Sequence, residues 1–186
     1  MTVIPLCSLD EETLGRVLQR IGFSCLRCGD CCRPESPDSN LVMVSPGEVR
    51  RLVDWTRLSS EMLAEPYPGE VDAGRGVTMT FGRVLRRPGG NCLFYGEKGQ
   101  CRAYGARPWI CRTYPFMLGE DSLLVFPCRG LGTPCGIGKA RSIARDLLER
   151  REAEREEEEA IRDVITRTPL PRGGRLLVDS EGVQVL

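Results

Sequence analysis

Phe23-Ser24-Cys25-Leu26-Arg27-Cys28-Gly29-Asp30-Cys31-Cys32 is the stretch that decides how this chain is read. It places four cysteines within eight residues, more thiols on one tight turn than an ordinary core uses. Thiolates at this spacing can converge on one metal, because such a turn points successive sulfurs inward. Outward from it, Cys92, Cys101, Cys111, Cys128 and Cys135 follow, each set among Gly, Pro, Arg or aromatic residues. The chain has 186 residues, ten cysteines and no histidine, so any metal it binds is held mainly by sulfur. The candidate ligands are Cys25, Cys28, Cys31, Cys32, Cys92, Cys101, Cys111, Cys128 and Cys135. Cys7 lies outside every motif and reads as a small buried apolar residue.

Cys25, Cys28 and Cys31 have the spacing of iron–sulfur turns, but the ferredoxin ligand three residues further on is absent. Cys32 instead adjoins Cys31. Adjacent side chains diverge, so the two are expected to face different sites, or one of them is no ligand. Eight cysteines then suffice for two four-sulfur sites; one cluster with spare thiols is the alternative. Four thiolates suit Zn²⁺ and [4Fe–4S] alike. The close triplet and the lack of histidine tilt the reading toward an iron–sulfur cluster, with structural zinc as the competing one. The placement of Arg27, Arg33, Arg102, Arg107, Arg112 and Arg129 beside candidate ligands suits a buried, negatively charged thiolate centre. Arg107 and Arg112 stand out, within Arg-Pro-x-x-Cys-Arg.

Composition narrows the class. Formal net charge is zero, so nothing overall points to nucleic acid. No stretch approaches the roughly 20 apolar residues of a membrane helix. The start, Met-Thr-Val-Ile-Pro-Leu-Cys, lacks the basic and apolar regions of a secretory signal, which points to the cytoplasm and to reduced thiols rather than disulfides. A Ser-His or Cys-His hydrolase is excluded by the missing histidine. A cysteine as redox nucleophile, at Cys32 or Cys135, is compatible with the chain, and no catalytic residue is assigned. Lys98 and Lys139 are the only lysines.

Local signals outline the elements. Ser8-Leu-Asp-Glu11 reads as a capping box opening a helix over 9–21, ended by Gly22. Residues 34–40 are loop by composition, and 41–44 a short strand. Ser45-Pro46-Gly47-Glu48 starts a second helix over 46–58, with Val49, Leu52 and Val53 on its buried face. Ser59 or Ser60 caps a short helix through Leu63. Residues 69–76 read as loop, 77–85 as one strand, and 122–126 as another. Residues 88–135 otherwise show little periodicity. A long Arg/Glu-rich helix is expected over 139–167, its Glu156–Glu159 run forming a solvated face. A terminal hairpin over 176–186 follows. The whole is an α+β reading: a loop-rich, metal-organised domain over 1–138 with short strands and flanking helices, and over 139–186 the helix and hairpin, part of the same structural unit. Helices 9–21 and 46–58 are expected to cover the cluster region.

Cys25-x-x-Cys28-x-x-Cys31-Cys32, with Cys92-Leu-Phe-Tyr95 and Cys101-x-x-Tyr104-x-x-Arg107-Pro108-x-x-Cys111-Arg112-x-Tyr114-Pro115, resembles the two blocks of the YkgJ-type cysteine-cluster proteins, a zinc- or iron-chelating family. Cys135-Gly-Ile-Gly resembles its Gly-rich closing motif, a place that Cys128-Arg-Gly-Leu-Gly fills equally well. The resemblance covers roughly residues 21 to 150. It implies a cytosolic metal- or iron–sulfur-binding domain; as a binding module or electron carrier, such a domain is expected to work with a protein partner. A flagellin lysine N-methylase is similar across this domain, which by resemblance alone raises S-adenosylmethionine as a cofactor.

Overall fold

The computed structural model describes residues 1–34, 36, 39–169, 171 and 173–186. In chain order the strands are β1 (Thr2–Pro5), β2 (Met43–Val44), β3 (Ala64–Pro66), β4 (Val71–Gly74), β5 (Val77–Phe81), β6 (Arg83–Leu85), β7 (Phe116–Leu118), β8 (Ser122–Val125), β9 (Gly174–Asp179) and β10 (Gly182–Val185). The helices are α1 (Glu11–Ile21), α2 (Pro46–Thr56), α3 (Ser60–Leu63), α4 (Trp109–Thr113) and α5 (Ile137–Arg167). The fold is α+β, with the long C-terminal helix and the short strands expected from sequence. No helix among the described residues is long and apolar enough to cross a membrane.

The chain forms two compact units. The first comprises Met1–Cys28 and Trp109–Glu154. Its antiparallel sheet has the order β1-β8-β7, with Thr2 opposite Val125 and Phe116 opposite the same residue from the other side. Leu14 and Leu18 of α1, Phe116 and Leu123 of the sheet, and Ala140, Ala144 and Leu147 of α5 close its core. Phe23 meets Phe116 edge to face, with ring centroids 5.4 Å apart. Arg150 is buried there and donates to the Thr113 hydroxyl (2.9 Å) and to Glu154 (2.7 Å), so its charge has a partner within reach.

The second unit comprises Gly29–Pro108 and Arg155–Leu186. One sheet has the order β10-β9-β5-β4, in which β5 and β9 run parallel although nearly a hundred residues separate them. Val77, Met79, Leu176 and Val178 form its core, joined by Ile161, Val164 and Ile165 from the end of α5. The other sheet has the order β2-β6-β3 and lies in a separate apolar cluster with Val49 and Leu52 of α2. Thus Gly29, in the middle of the cysteine turn, begins one unit while Cys28 ends a segment of the other.

Several local expectations shift. Helix α1 is capped by Asp10 rather than Ser8: the Asp10 carboxylate accepts from the Thr13 amide (2.8 Å) and hydroxyl (2.9 Å), two bonds a serine hydroxyl does not match. The Ser45 capping box forms as read, with Ser45 Oγ accepting from the Glu48 amide and the Glu48 carboxylate accepting from the Ser45 amide. The strand expected over 77–85 is two strands in different sheets. Gly82, at φ 72°, turns the chain between them; its amide donates to Val178 (2.9 Å) and its carbonyl accepts from Tyr67 (3.1 Å). Strand β4 lies in the expected 69–76 loop, because its exposed, Gly-containing residues carry no apolar alternation. Strand β2 keeps only Met43–Val44 of the expected 41–44. The loop at 34–40 lies partly outside the described residues. Cys7 is exposed rather than buried, since Leu6 takes the inward position next to it.

Candidate metal centre

The backbone of the second unit gathers Cys31, Cys32, Cys92 and Cys101. Residues Asp30–Cys32 make a single tight turn entered through Gly29 at φ 77°, closed by the Cys32 amide on the Gly29 carbonyl (2.9 Å). A side chain at Gly29 would come within 2.2 Å of the Gly99 carbonyl and 2.7 Å of the Tyr95 ring, so only glycine lets this turn press against residues 95–99. The Cys92 amide donates to the Cys32 carbonyl (2.9 Å), which fastens the distant cysteine to the turn. From Cys92 the chain folds back on itself: Gly96 donates to Gln100 (3.0 Å), Arg102 to Phe94 (2.8 Å), and Tyr95 bridges Cys101. Cys92 is buried with Leu52, Phe94, Ala103 and Ala106, and Cys32 and Cys101 pack against that cluster. Cys31 is exposed. Helix α2 therefore does cover this group of thiols.

Cys32 lies close enough to Cys31 and Cys92 for the three thiols to shift one another's titration. The hydrogen bond from Cys32 draws the Cys31 thiol down to about 7, with the Arg107 charge acting in the same direction. The same donor brings Cys92 to about 7, helped by the Phe94 amide and the Arg87 charge and opposed by burial. Cys32 itself is pushed far up, because ionising it would sacrifice both bonds and place its charge beside two others. Burial pushes the Cys101 thiol up. Arg107 stacks 3.7 Å from the centroid of the Tyr104 ring and donates to the Tyr104 carbonyl (3.0 Å), which holds its charge near Cys31. Arg87 escaped the sequence reading, as it adjoins no cysteine in the chain.

The remaining thiols lie in the first unit. Cys25 is exposed, and Cys28, Cys111 and Cys128 are half-buried. The Gly130 amide donates to Cys128 Sγ at 3.5 Å. Cys111 sits on α4; its neighbour Arg112 stacks on Trp109 (4.5 Å) and pairs with Asp146 of α5 (2.5 Å). Cys135 is buried in the apolar core, with its thiol turned to the Gly136 carbonyl (3.7 Å).

Among the described residues, no group of three or more Cys, Asp or Glu side chains is already gathered into a formed ion site. The donor chemistry of Cys31, Cys32, Cys92 and Cys101 fits a thiophilic metal: four sulfurs, two of them readily ionised, with two arginines to offset charge. Closing such a set needs a rearrangement of side chains already fastened through their backbones.

Comparison with known proteins accords with this chemistry. A similar protein is an uncharacterized protein of Methanocaldococcus jannaschii, 25% identical over 124 residues. The match covers 61% of this chain and 60% of that protein, so the chain spans less than two thirds of the relative's length. No solved structure matches significantly. The likeness to a flagellin lysine N-methylase finds no support in these comparisons. A family model matches residues 24–129, which hold eight of the nine candidate ligands, and the chain belongs to that family, CxxCxxCC, described as "Putative zinc- or iron-chelating domain".

Proposed function

We propose that this protein is a cysteine-ligated metalloprotein in which Cys31, Cys32, Cys92 and Cys101 hold an iron–sulfur cluster with a redox or cluster-dependent role. The observation that carries the reading is the fastening of buried Cys92 to the cysteine turn, its amide donating to the Cys32 carbonyl (2.9 Å), in an apolar cluster against which Cys32 and Cys101 both pack. Such a cluster supplies one-electron redox chemistry. The protein's part is to supply the sulfurs, to offset their charge with Arg87 and Arg107, and to keep Cys92 and Cys101 among apolar side chains. Because Cys31 is exposed, the ligand set reaches from the core to the surface. That placement suits electron exchange with a protein partner, the cluster gaining the electron that the partner loses, or the reverse. A cytoplasmic setting, where thiols stay reduced, belongs to the same reading.

Structural zinc is the second reading, and one observation favours it. Cys32, Cys92 and Cys101, which share one apolar cluster, suit a single buried tetrahedral ion, which draws its sulfurs close together. Metal analysis and an absorption spectrum of protein purified without oxygen decide between the two. Iron with acid-labile sulfide and a broad violet absorption supports the cluster. A colourless sample with stoichiometric zinc overturns it in favour of the zinc module. Carefully handled protein with neither metal overturns both.

A further inference from the structure

We infer that Trp55 and the arginines beside it form a docking surface for a protein whose own contact patch is an apolar pocket rimmed by carboxylates. The inference rests on the reading above only for what that partner does, which is to exchange electrons. Helix α2 sends Val49 and Leu52 into the apolar cluster that holds Cys92. One turn after Leu52, the same helix leaves Trp55 59% exposed. That is a large apolar surface to leave in water, and tryptophan is among the side chains that interface centres favour most. The Trp55 indole makes no hydrogen bond among the described residues, so its N–H has an acceptor still to find.

The ring is nevertheless held in place. It lies on Gly105, where a Cβ would come within 3.0 Å of Trp55 Cη2. Arg51, four residues before Trp55 and so its neighbour on the helix surface, donates to the Arg107 carbonyl (3.5 Å). Arg107 in turn stacks on Tyr104 (3.7 Å). A ring already positioned loses little freedom on binding. Ala103 and Ala106, on either side of Gly105, are buried with Cys92, so the segment that supports Trp55 is also a wall of that thiol's cluster.

The charges around the ring select the partner. Residues 98–107 bring Lys98, Arg102 and Arg107 and no acidic residue, and Lys98 and Arg102 are exposed. Arg51 and Arg57 flank Trp55 along the chain, while Glu48 is buried in the capping box of α2. Asp54, next to Trp55, is outnumbered by these cations. Carboxylates on a partner would pair with the guanidinium groups while its apolar pocket takes the indole. Single-stranded nucleic acid fits less well: it needs several open stacking faces, and Arg107 already covers one face of Tyr104.

The test uses the full chain purified without oxygen and a labelled synthetic peptide, Leu-Phe flanked on both sides by glutamates, with fluorescence anisotropy as the readout. The wild type should bind it, and more weakly as salt rises. Trp55→Ala should weaken binding about tenfold or more. Arg102→Glu should weaken it and flatten the salt dependence, Trp55→Phe should retain most of it, and Val185→Ala, at an exposed position on β10, should change nothing. No binding by the wild type, unchanged affinity in Trp55→Ala, or equal affinity for the same peptide with glutamines in place of glutamates each overturns the proposal. So does tighter binding of a single-stranded oligothymidylate. If Trp55→Ala does not fold by circular dichroism, Arg102→Glu carries the test, and unchanged affinity there overturns it. Metal analysis of the same samples separates this inference from the reading above. Peptide binding by a chain with neither iron nor zinc keeps the docking surface and removes the electron exchange, whereas iron and sulfide without peptide binding do the reverse.

Discussion

In the first unit the core is closed by carbon side chains: α1 and α5 pack Leu14, Leu18, Ala140, Ala144 and Leu147 over a three-stranded sheet. Cys135 belongs to that core and Cys128 packs against it, while the unit's other cysteines are half-buried or exposed. In the second unit Cys92 belongs to the apolar cluster itself, and Cys32 and Cys101 pack against it, next to strands only two or three residues long. The same residue type thus plays two parts. Where a unit has paired helices and a sheet, its thiols add to a core that carbon side chains already close. Where regular structure is sparse, thiols are part of what fills the core, so metal and fold become coupled.

The largest expected effect tests that coupling. Removing metal with a strong chelator should strip amide hydrogen-exchange protection from residues 92–106 and leave that of β1, β7 and β8 nearly unchanged. Equal loss in both units would erase the distinction. Next comes core truncation. Leu14→Ala in the first unit should cost about 2–5 kcal/mol in denaturant unfolding, as for other fully buried leucines, with metal content intact. A loss of metal in that variant would mean that metal and fold are coupled in the first unit too. Leu52→Ala, equally buried but set beside Cys92, should lower both stability and metal retention.

Smaller effects sharpen the comparison at the helix starts. Ser45→Ala removes one half of the capping box of α2 and should cost about 1 kcal/mol, measured as a shift in denaturation midpoint. The corresponding cap in the first unit gives a pH signature. Hydrogen bonds from Ser8 and Thr13 hold the Asp10 carboxyl down at about 2, against 3.8 for the free group. A depressed carboxylate pKa contributes stability that is present above the unfolded value and is lost as pH falls toward the folded one. An NMR titration should therefore place Asp10 near 2, and a midpoint near 3.8 would show that the cap does not form.

Legibility in the sequence followed the range of the interaction. Capping at Ser45, the stop at Gly22, the long C-terminal helix and the terminal hairpin are set by neighbours a few residues away, and each was readable. The Glu156–Glu159 run also behaves as read: Arg155 and Arg162 pair with Glu159 and Glu158 four residues away on an exposed face. Strands β1, β3, β4 and β7 were not readable, being three or four residues long and defined by their partners. The parallel pairing of β5 with β9, and the break at Gly82 that sends β6 to another sheet, depend on chain far away in sequence.

By itself the sequence determined the chemistry of this protein. Ten cysteines, no histidine and the Cys25–Cys32 spacing point any metal mainly to sulfur ligation, because ligand type is a property of the residues present. Only the tertiary structure decided how those sulfurs are shared out. It divides the cysteine turn between two units, brings Cys92 and Cys101 to Cys32, buries Cys135 in an apolar core, and sets the Arg107 charge near Cys31. The physical reason is that a turn fixes only the direction its own side chains take. What meets them there depends on backbone hydrogen bonds and close packing with segments tens of residues away.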